Sequence, residues 1–196
     1  TAATAANDYS ELGTPSYNYS YTYANSAWGD LMTKYRSGNC YYDANGNPTQ
    51  LYDGRTFHFT WKGRELQTLT LSNVLTTFTY NADGLRTNKT TGGTSHDYIW
   101  EGDTLIAEIT DGYTLHFLYD GIGNIIGFEY ITTSGTETYV YEKNIFGDVI
   151  GIYDSAGTKV GAYAFNAYGQ NVTVTNLTSA NIASLNPIRY RSYYYD

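Results

Sequence analysis

The chain has 196 residues, 41% of them hydrophobic and only 15% charged, with a formal net charge of −8. That acidity argues against sequence-independent nucleic-acid binding, which needs basic stripes to displace counterions, and against an anionic membrane surface. The single cysteine, Cys40, excludes an internal disulfide or a cysteine-based metal cluster, and no apolar run approaches the roughly 18 residues of a membrane span.

Tyrosine dominates the aromatics, with 23 residues beside 20 glycines and many threonines. Tyr and Thr favour a pleated, half-buried surface and Gly supplies tight turns, so the expected fold is all-β with many short strands. A tyrosine buries its ring and still gives its hydroxyl to a partner. So rich a supply predicts thin layers, one face packed and one wet, rather than a thick aliphatic core.

In chain order, residues 1–20 are low in complexity and are expected to form a partly disordered lead-in. The opening TAATAANDYS has neither a basic n-region nor an apolar h-region and no initiator Met, so both ends read as cut from something longer. Next, NSAWGDLMTKY (25–35) spaces Trp28, Leu31, Met32 and Tyr35 as on a helix face, with Asn25 or Ser26 as cap and Gly29 weakening it. A repeat then takes over. YYDANGNPTQL (41–51), FTWKGRELQTL (59–69), FTYNADGLRTN (78–88), YIWEGDTLIAE (98–108) and FLYDGIGNIIG (117–127) share one pattern: aromatic, Tyr or Trp, polar residues, Gly, return strand. The turn glycines Gly46, Gly63, Gly84, Gly102 and Gly123 are 17, 21, 18 and 21 residues apart, and Gly147, Gly157 and Gly169 follow at closer spacing. Each unit reads as a β-hairpin, with Asp, Asn and Gly at the tip and alternating strands such as Phe57-His58-Phe59-Thr60-Trp61. The repeat positions are Tyr42, Asp43 and Gly46; Trp61 and Gly63; Tyr80 and Gly84; Trp100 and Gly102; Tyr119, Asp120 and Gly123; Gly147; Tyr153, Asp154 and Gly157; Tyr168 and Gly169. Hairpins side by side bury a continuous face, so residues 21–196 are expected to form one repeat domain of about eight or nine hairpins in a long, curved or spiral antiparallel sheet. TSANIASLNP (178–187) predicts one or two helical turns stopped by Asn186-Pro187, after which Arg189, Tyr190, Arg191, Tyr193, Tyr194, Tyr195 and Asp196 read as one more alternating strand. On that strand Arg189 and Arg191 fall on one face and Tyr190 on the other.

The ordered series YYDANGNP, TYNADGLRTNK, FLYDGIGNIIG, EKNIFGDVIGIYDSAGTKV and NPIRYRSYYYD resembles the RHS (YD) repeat family, and more narrowly its RHS-repeat-associated core region, over about residues 21–196. The resemblance implies a hollow β-shell, a strip of hairpins wound into a cocoon around a C-terminal polymorphic toxin. It implies a secreted or cell-surface bacterial protein, with the rest of the shell and its toxin cargo as partners. The family's core is typically followed by a self-cleaving aspartate motif and a variable toxin. This chain ends before both, so a segment lacking the toxin, with a cut edge prone to self-association, is expected.

Little else points to chemistry. His58, His96 and His116 are far apart, and His58 and His116 should face away from the neighbouring Phe residues. The carboxylates cluster at turns, where turn chemistry accounts for them. DANGNP (43–48) lacks the acidic ligand set of a calcium loop, and GIGNIIG (121–127) lacks the strand–helix context of a phosphate loop. No catalytic, metal-ligating or cofactor-binding residue is assigned and no enzyme activity is expected. The alternative reading is a glycan or adhesion module, in which Trp28, Trp61 and Trp100 with neighbouring Tyr stack on sugar rings.

Overall fold

The computed structural model describes residues 19–166 and 168–196. The expected disordered lead-in lies, apart from its last two residues, outside them. The chain forms two compact units, Thr1–Phe78 and Thr79–Asp196. No described helix is long and apolar enough to cross a membrane.

In the first unit β1 (Tyr21–Thr22), β2 (Lys34–Tyr35) and β3 (Gly38–Asn39) make a small antiparallel sheet. Then come β4 (Tyr41–Tyr42), β5 (Pro48–Tyr52), β6 (Thr56–Lys62), β7 (Glu65–Leu71) and β8 (Val74–Tyr80), whose end reaches into the second unit. The second unit continues with β9 (Arg86–Thr91), β10 (Thr94–Glu101), β11 (Thr104–Ile109), β12 (Thr114–Tyr119) and β13 (Ile125–Thr132). It ends with β14 (Gly135–Lys143), β15 (Val149–Asp154), β16 (Lys159–Phe165), β17 (Asn171–Asn176) and a single helical turn, α1 (Ile182–Leu185). From β4 to β17 the order in the 14-stranded sheet is the order in the chain. The fold is therefore all-β and built of consecutive antiparallel hairpins.

The tips show why. At six of them an Asp or Asn occupies the first position and a glycine the fourth. Asp43 Oδ1 accepts from the N–H of Asn45 and of Asn47, both at 2.9 Å. Asn81, Asp120, Asn144, Asp154 and Asn166 repeat the pair of bonds to the residues two and four ahead. The side chain thus fixes the turn and the glycine closes it at positive φ, as at Gly46 (81°) and Gly147 (83°). The turn reading of DANGNP and GIGNIIG holds.

At three tips the aromatic before the turn has a second job. Trp61 Nε1 donates to Pro48 O at 2.7 Å, Trp100 Nε1 to Arg86 O at 2.8 Å, and Tyr119 Oη to Leu105 O at 2.7 Å. Each bond clasps one hairpin to the strand before it. A Phe at these three positions would lack the donor.

Strand parity decides which end of the sheet a tip occupies. The tips carrying Gly46, Gly63, Gly84, Gly102, Gly123, Gly147 and Gly169 all follow even-numbered strands, whereas Gly157 follows β15. The closer spacing after Gly147 therefore mixes two ends. Without Gly157 the series continues at 24 and 22 residues.

Two expectations fail. Residues 25–35 are not helical. Asn25 Oδ1 does cap, accepting from Ala27 N and Trp28 N at 3.0 Å, and Leu31 N reaches Trp28 O. Gly29 follows immediately, and Lys34–Tyr35 is drawn into β2, so one turn forms and does not propagate. The terminal segment is also not a further alternating strand. Tyr190–Ser192 is a 3₁₀ turn, Arg191 and Ser192 have φ of 50° and 59°, and one isolated bridge joins Ile188 to Tyr194. Arg189 is buried and Arg191 exposed, so the two do not share a face. Asn186 does end α1, in extended geometry before Pro187.

The packing is uneven. In the first unit Cys40 and Phe78 are the buried hydrophobics among the described residues, and strands such as β6 alternate exposed and half-buried positions, with His58 on the outward face as expected. The second unit has a real core of Leu115, Phe117, Phe128, Tyr139, Ile152 and Tyr163 on one sheet face, roofed by Ile182, Ala183 and Ile188. Gly161 lets the roof approach: a Cβ there would stand 2.8 Å from Ala183 Cβ.

Candidate functional site

The terminal motif builds the most elaborate polar site in the second unit, on the face bearing Leu115, Phe117 and Phe128. Asn186, fully buried, sits at its centre. Its Oδ1 accepts from Tyr141 Oη at 2.6 Å and Ile188 N at 3.3 Å. Its Nδ2 donates to Tyr163 Oη at 3.1 Å and Ile188 O at 2.7 Å. Both donors and both lone pairs of the amide are used. Tyr163 Oη donates onward to Ala183 O at 2.7 Å. Burial pushes the Tyr141 phenol well above its usual pKa, keeping it a donor.

Arg189 is spent on structure. Its guanidinium donates to the carbonyls of Asn186, Ala183 and Ser184 and lies 4.3 Å from the Tyr195 ring centroid. Arg189 O accepts from Val149 N, and Tyr195 N reaches Pro187 O. The left-handed turn at Arg191 and Ser192 is held from below: Arg191 N donates to the buried Asp148 Oδ1 at 2.9 Å, and Ser192 Oγ to Gly147 O at 2.9 Å. Tyr190 packs over Gly169, where a Cβ would meet its ring at 2.5 Å.

Beyond the turn the chain crosses the sheet face. Tyr194 Oη donates to Glu108 Oε2 at 2.9 Å and meets Tyr98 Oη at 3.1 Å. Glu108, 3% exposed, also holds His96 Nδ1 at 2.5 Å through Oε1. Burial raises the Tyr98 phenol to about 12 and the Tyr194 phenol further still, so both remain protonated at neutral pH. Asp196 binds Arg86 and, at 2.6 Å, Lys89 Nζ, while the Arg86 guanidinium lies over the Tyr98 ring. A groove of about 920 Å³ lies beside this segment, lined by Trp100, Leu105, Tyr119, Tyr141, Lys143 and Tyr193 among others.

The Asp196 carboxyl is pushed up by burial, but the hydrogen bonds from Arg86 and Lys89 outweigh that and hold it below the usual range. A depressed folded-state pKa adds stability above the unfolded-state value, lost as pH falls through the folded one. The expected result is a loss of stability as pH falls below about 4, the unfolded-state carboxylate value, that Asp196→Asn removes. With Asp196 half exposed, the difference at pH 7 should stay near or below about 1 kcal/mol and shrink in salt. Urea titrations of both proteins across pH read it; an unchanged acid limb in the variant contradicts the clasp.

Of the residues singled out from sequence, the structure unites Asn186, Pro187, Arg189, Tyr190, Tyr194, Tyr195 and Asp196 with Trp100, Tyr119, Gly147 and Gly169. Tyr42 and Trp61 belong to the first unit, where Tyr42 Oη donates to Met32 O. Tyr153 and Asp154 lie at the opposite tips, and Tyr168 and Tyr193 point into solvent. His116 faces away from the core as expected, paired with Glu129. Sequence reasoning missed Arg86, His96, Tyr98, Glu108, Tyr141 and Asp148. Glu108 is instructive. Trp100 faces Leu105 and Ile99 faces Ala107, so the register skips Ile106 and places Leu105 and Glu108 on the same face. Plain alternation from Leu105 puts the acid outside. The signal for Asp148 was legible: Asn144 and Asn166 occupy the tip position of Asp43, Asp120 and Asp154.

No family model matches the chain. It is 31% identical over 173 residues to the tRNA3(Ser)-specific nuclease WapA of Bacillus spizizenii and 30% identical to the tRNA nuclease WapA of Bacillus subtilis strain 168; each match covers 84% of this chain and 7% of that protein. The chain thus spans a small part of the curated relatives it matches. Among solved structures, a TcdB2-TccC3-Cdc42 crystal structure superposes with a TM-score of 0.60 at 16% identity, over 79% of this chain and 8% of that one. A Photorhabdus luminescens Tc holotoxin pore gives 0.57 at 15% identity, over 91% and 11%. At such identities these two establish the shared fold.

Proposed function

We propose that the chain belongs to the RHS (YD) repeat family and is a length of shell wall in a secreted or cell-surface bacterial polymorphic toxin, containing cargo rather than reacting with it. The observation that carries this is the commitment of the site's polar groups to structure. Glu108 is divided between His96 and Tyr194, Asp148 between Asn144 and Arg191, and Asp196 between Arg86 and Lys89. A catalytic acid or base needs a free lone pair or proton facing a substrate. The hairpin clasps likewise make a strip that holds itself together. The rest of the shell and a toxin cargo are the partners this reading assigns. The strand β17, which ends the sheet order with β16 on one side, is where more wall can pair.

A second reading, glycan binding, draws on the exposed Tyr21, Tyr23, Trp28 and Tyr41 of the first unit. Trp61 and Trp100 instead spend their Nε1 groups on hairpin clasps. One preparation tests both readings. The purified chain should leave total tRNA intact, and its tryptophan emission should stay flat against cell-wall sugars. Cleavage that Glu108→Gln abolishes would overturn the non-catalytic reading; saturable quenching by a defined sugar would favour the glycan one.

A further inference from the structure

In the second unit three successive tips at one end break the rule that tip residues are small or polar. Ile122 is 88% exposed, Ile145 93%, Phe146 69% and Tyr168 93%. The remaining tips of the same unit carry Ala82-Asp83, Gly92-Gly93, Gly102-Asp103, Asp111-Gly112, Thr133-Ser134 and Ser155-Ala156. Turn chemistry does not require the bulky residues. The first-position Asp or Asn and the fourth-position Gly carry the turn, and the second and third side chains are free to be anything. Four large apolar side chains in water at such points are a liability unless something covers them.

We infer that Ile122, Ile145, Phe146 and Tyr168 form a docking rim for a second row of hairpin tips, the edge of another course of the same kind of wall. Three features select that occupant. First, the pattern is a line of convex points. Tips that follow β12, β14 and β16 are two strands apart, about 10 Å, and so span about 20 Å. Another row of hairpin tips has the same period, so side chains from one row fit between those of the other. Second, the rim offers side chains only. Its turn N–H groups are bonded to Asp120, Asn144 and Asn166, which leaves interdigitation rather than strand pairing. Third, the four protruding side chains are themselves uncharged in a chain of net charge −8, and the carboxylates at the feet of these turns are already engaged, Asp120 by Asn124 and Asp148 by Asn144 and Arg191. The chain spans only 7% of its curated relatives' length, so a wall of this kind has further courses to offer. The inference rests on the shell-wall reading.

Hydroxyl-radical footprinting tests it on two proteins: the 196-residue chain and the full polypeptide of its open reading frame. Phe146 and Tyr168 should oxidise fast in the short chain and at least tenfold more slowly in the full polypeptide. Ile145→Ser with Phe146→Ser should restore fast oxidation of Tyr168 in the latter. Equal rates at the rim, with Tyr193 and Tyr195 slowed in the full polypeptide, overturn the rim and leave the wall reading standing. Equal rates everywhere defeat both. Concentration-dependent slowing in the short chain alone assigns the rim to a second copy, and slowing only on adding phosphatidylcholine vesicles assigns it to lipid; either overturns the inference.

Discussion

Replacing Asn186 by alanine is expected to lower the unfolding free energy by about 3 kcal/mol and to loosen residues 187–196 from the sheet face. The side chain makes four hydrogen bonds and is completely buried. Its removal leaves the hydroxyl of Tyr141 without its acceptor and the carbonyl of Ile188 without its donor. A stranded buried polar group costs about 1–3 kcal/mol, whereas a hydrogen bond exchanged with water is worth only about 1. The size of the effect therefore comes from the groups left behind, not from the bonds lost. Asn186→Asp should be at least as damaging, because a carboxylate oxygen would replace the Nδ2 donor facing Ile188 O. Equilibrium unfolding in urea gives the first number, and limited proteolysis within 187–196 reports the second. A loss below 1 kcal/mol with unchanged proteolysis would sink the idea that this amide organises the terminal segment.

Gly127→Ala is expected to cost about 3 kcal/mol or more, although it adds a single methyl group. Gly127 lies on β13 between Leu118 of β12 and Val140 of β14. A Cβ there would stand 2.1 Å from the carbonyl oxygen of Tyr139 and 3.1 Å from Val140 Cα. Both are backbone atoms of a neighbouring strand, so no side chain can swing away and the ladder itself must part. The site adjoins the register shift between Leu118 and Tyr119, which bends the strand and brings the backbones close. Gly112→Ala is the control. Nothing lies within 4 Å of a Cβ there, and its φ is outside the left-handed region. That change should leave stability within about 0.5 kcal/mol of the parent. Thermal and urea unfolding of the two variants side by side separate the effects, and equal stabilities would contradict the steric account.

The sequence by itself determined whatever is settled within a few residues. Six of the tips are closed by bonds that reach two and four positions along the chain, as at Asp43 and Asp120, so the residues that form them stand next to one another in the text. Strand alternation, the all-β class, the stop at Asn186-Pro187 and the family resemblance follow from that local chemistry. The tertiary structure decided what depends on partners far away. Tyr194 meets Glu108 across 86 residues and Tyr98 across 96, and Asp196 reaches Lys89 across 107. Those contacts fold NPIRYRSYYYD back over the sheet and override the alternation that made it look like a strand. Bulges do the same on a smaller scale, since one skipped residue in β11 moves Glu108 from the wet face to the packed one. Parity, too, is a property of the assembled sheet: only the count of strands separates Gly157 from the glycines at the other end. The helix expected over 25–35 failed although its cap formed, because Gly29 follows it at once and Lys34–Tyr35 pairs with strands on both sides instead of continuing the turn.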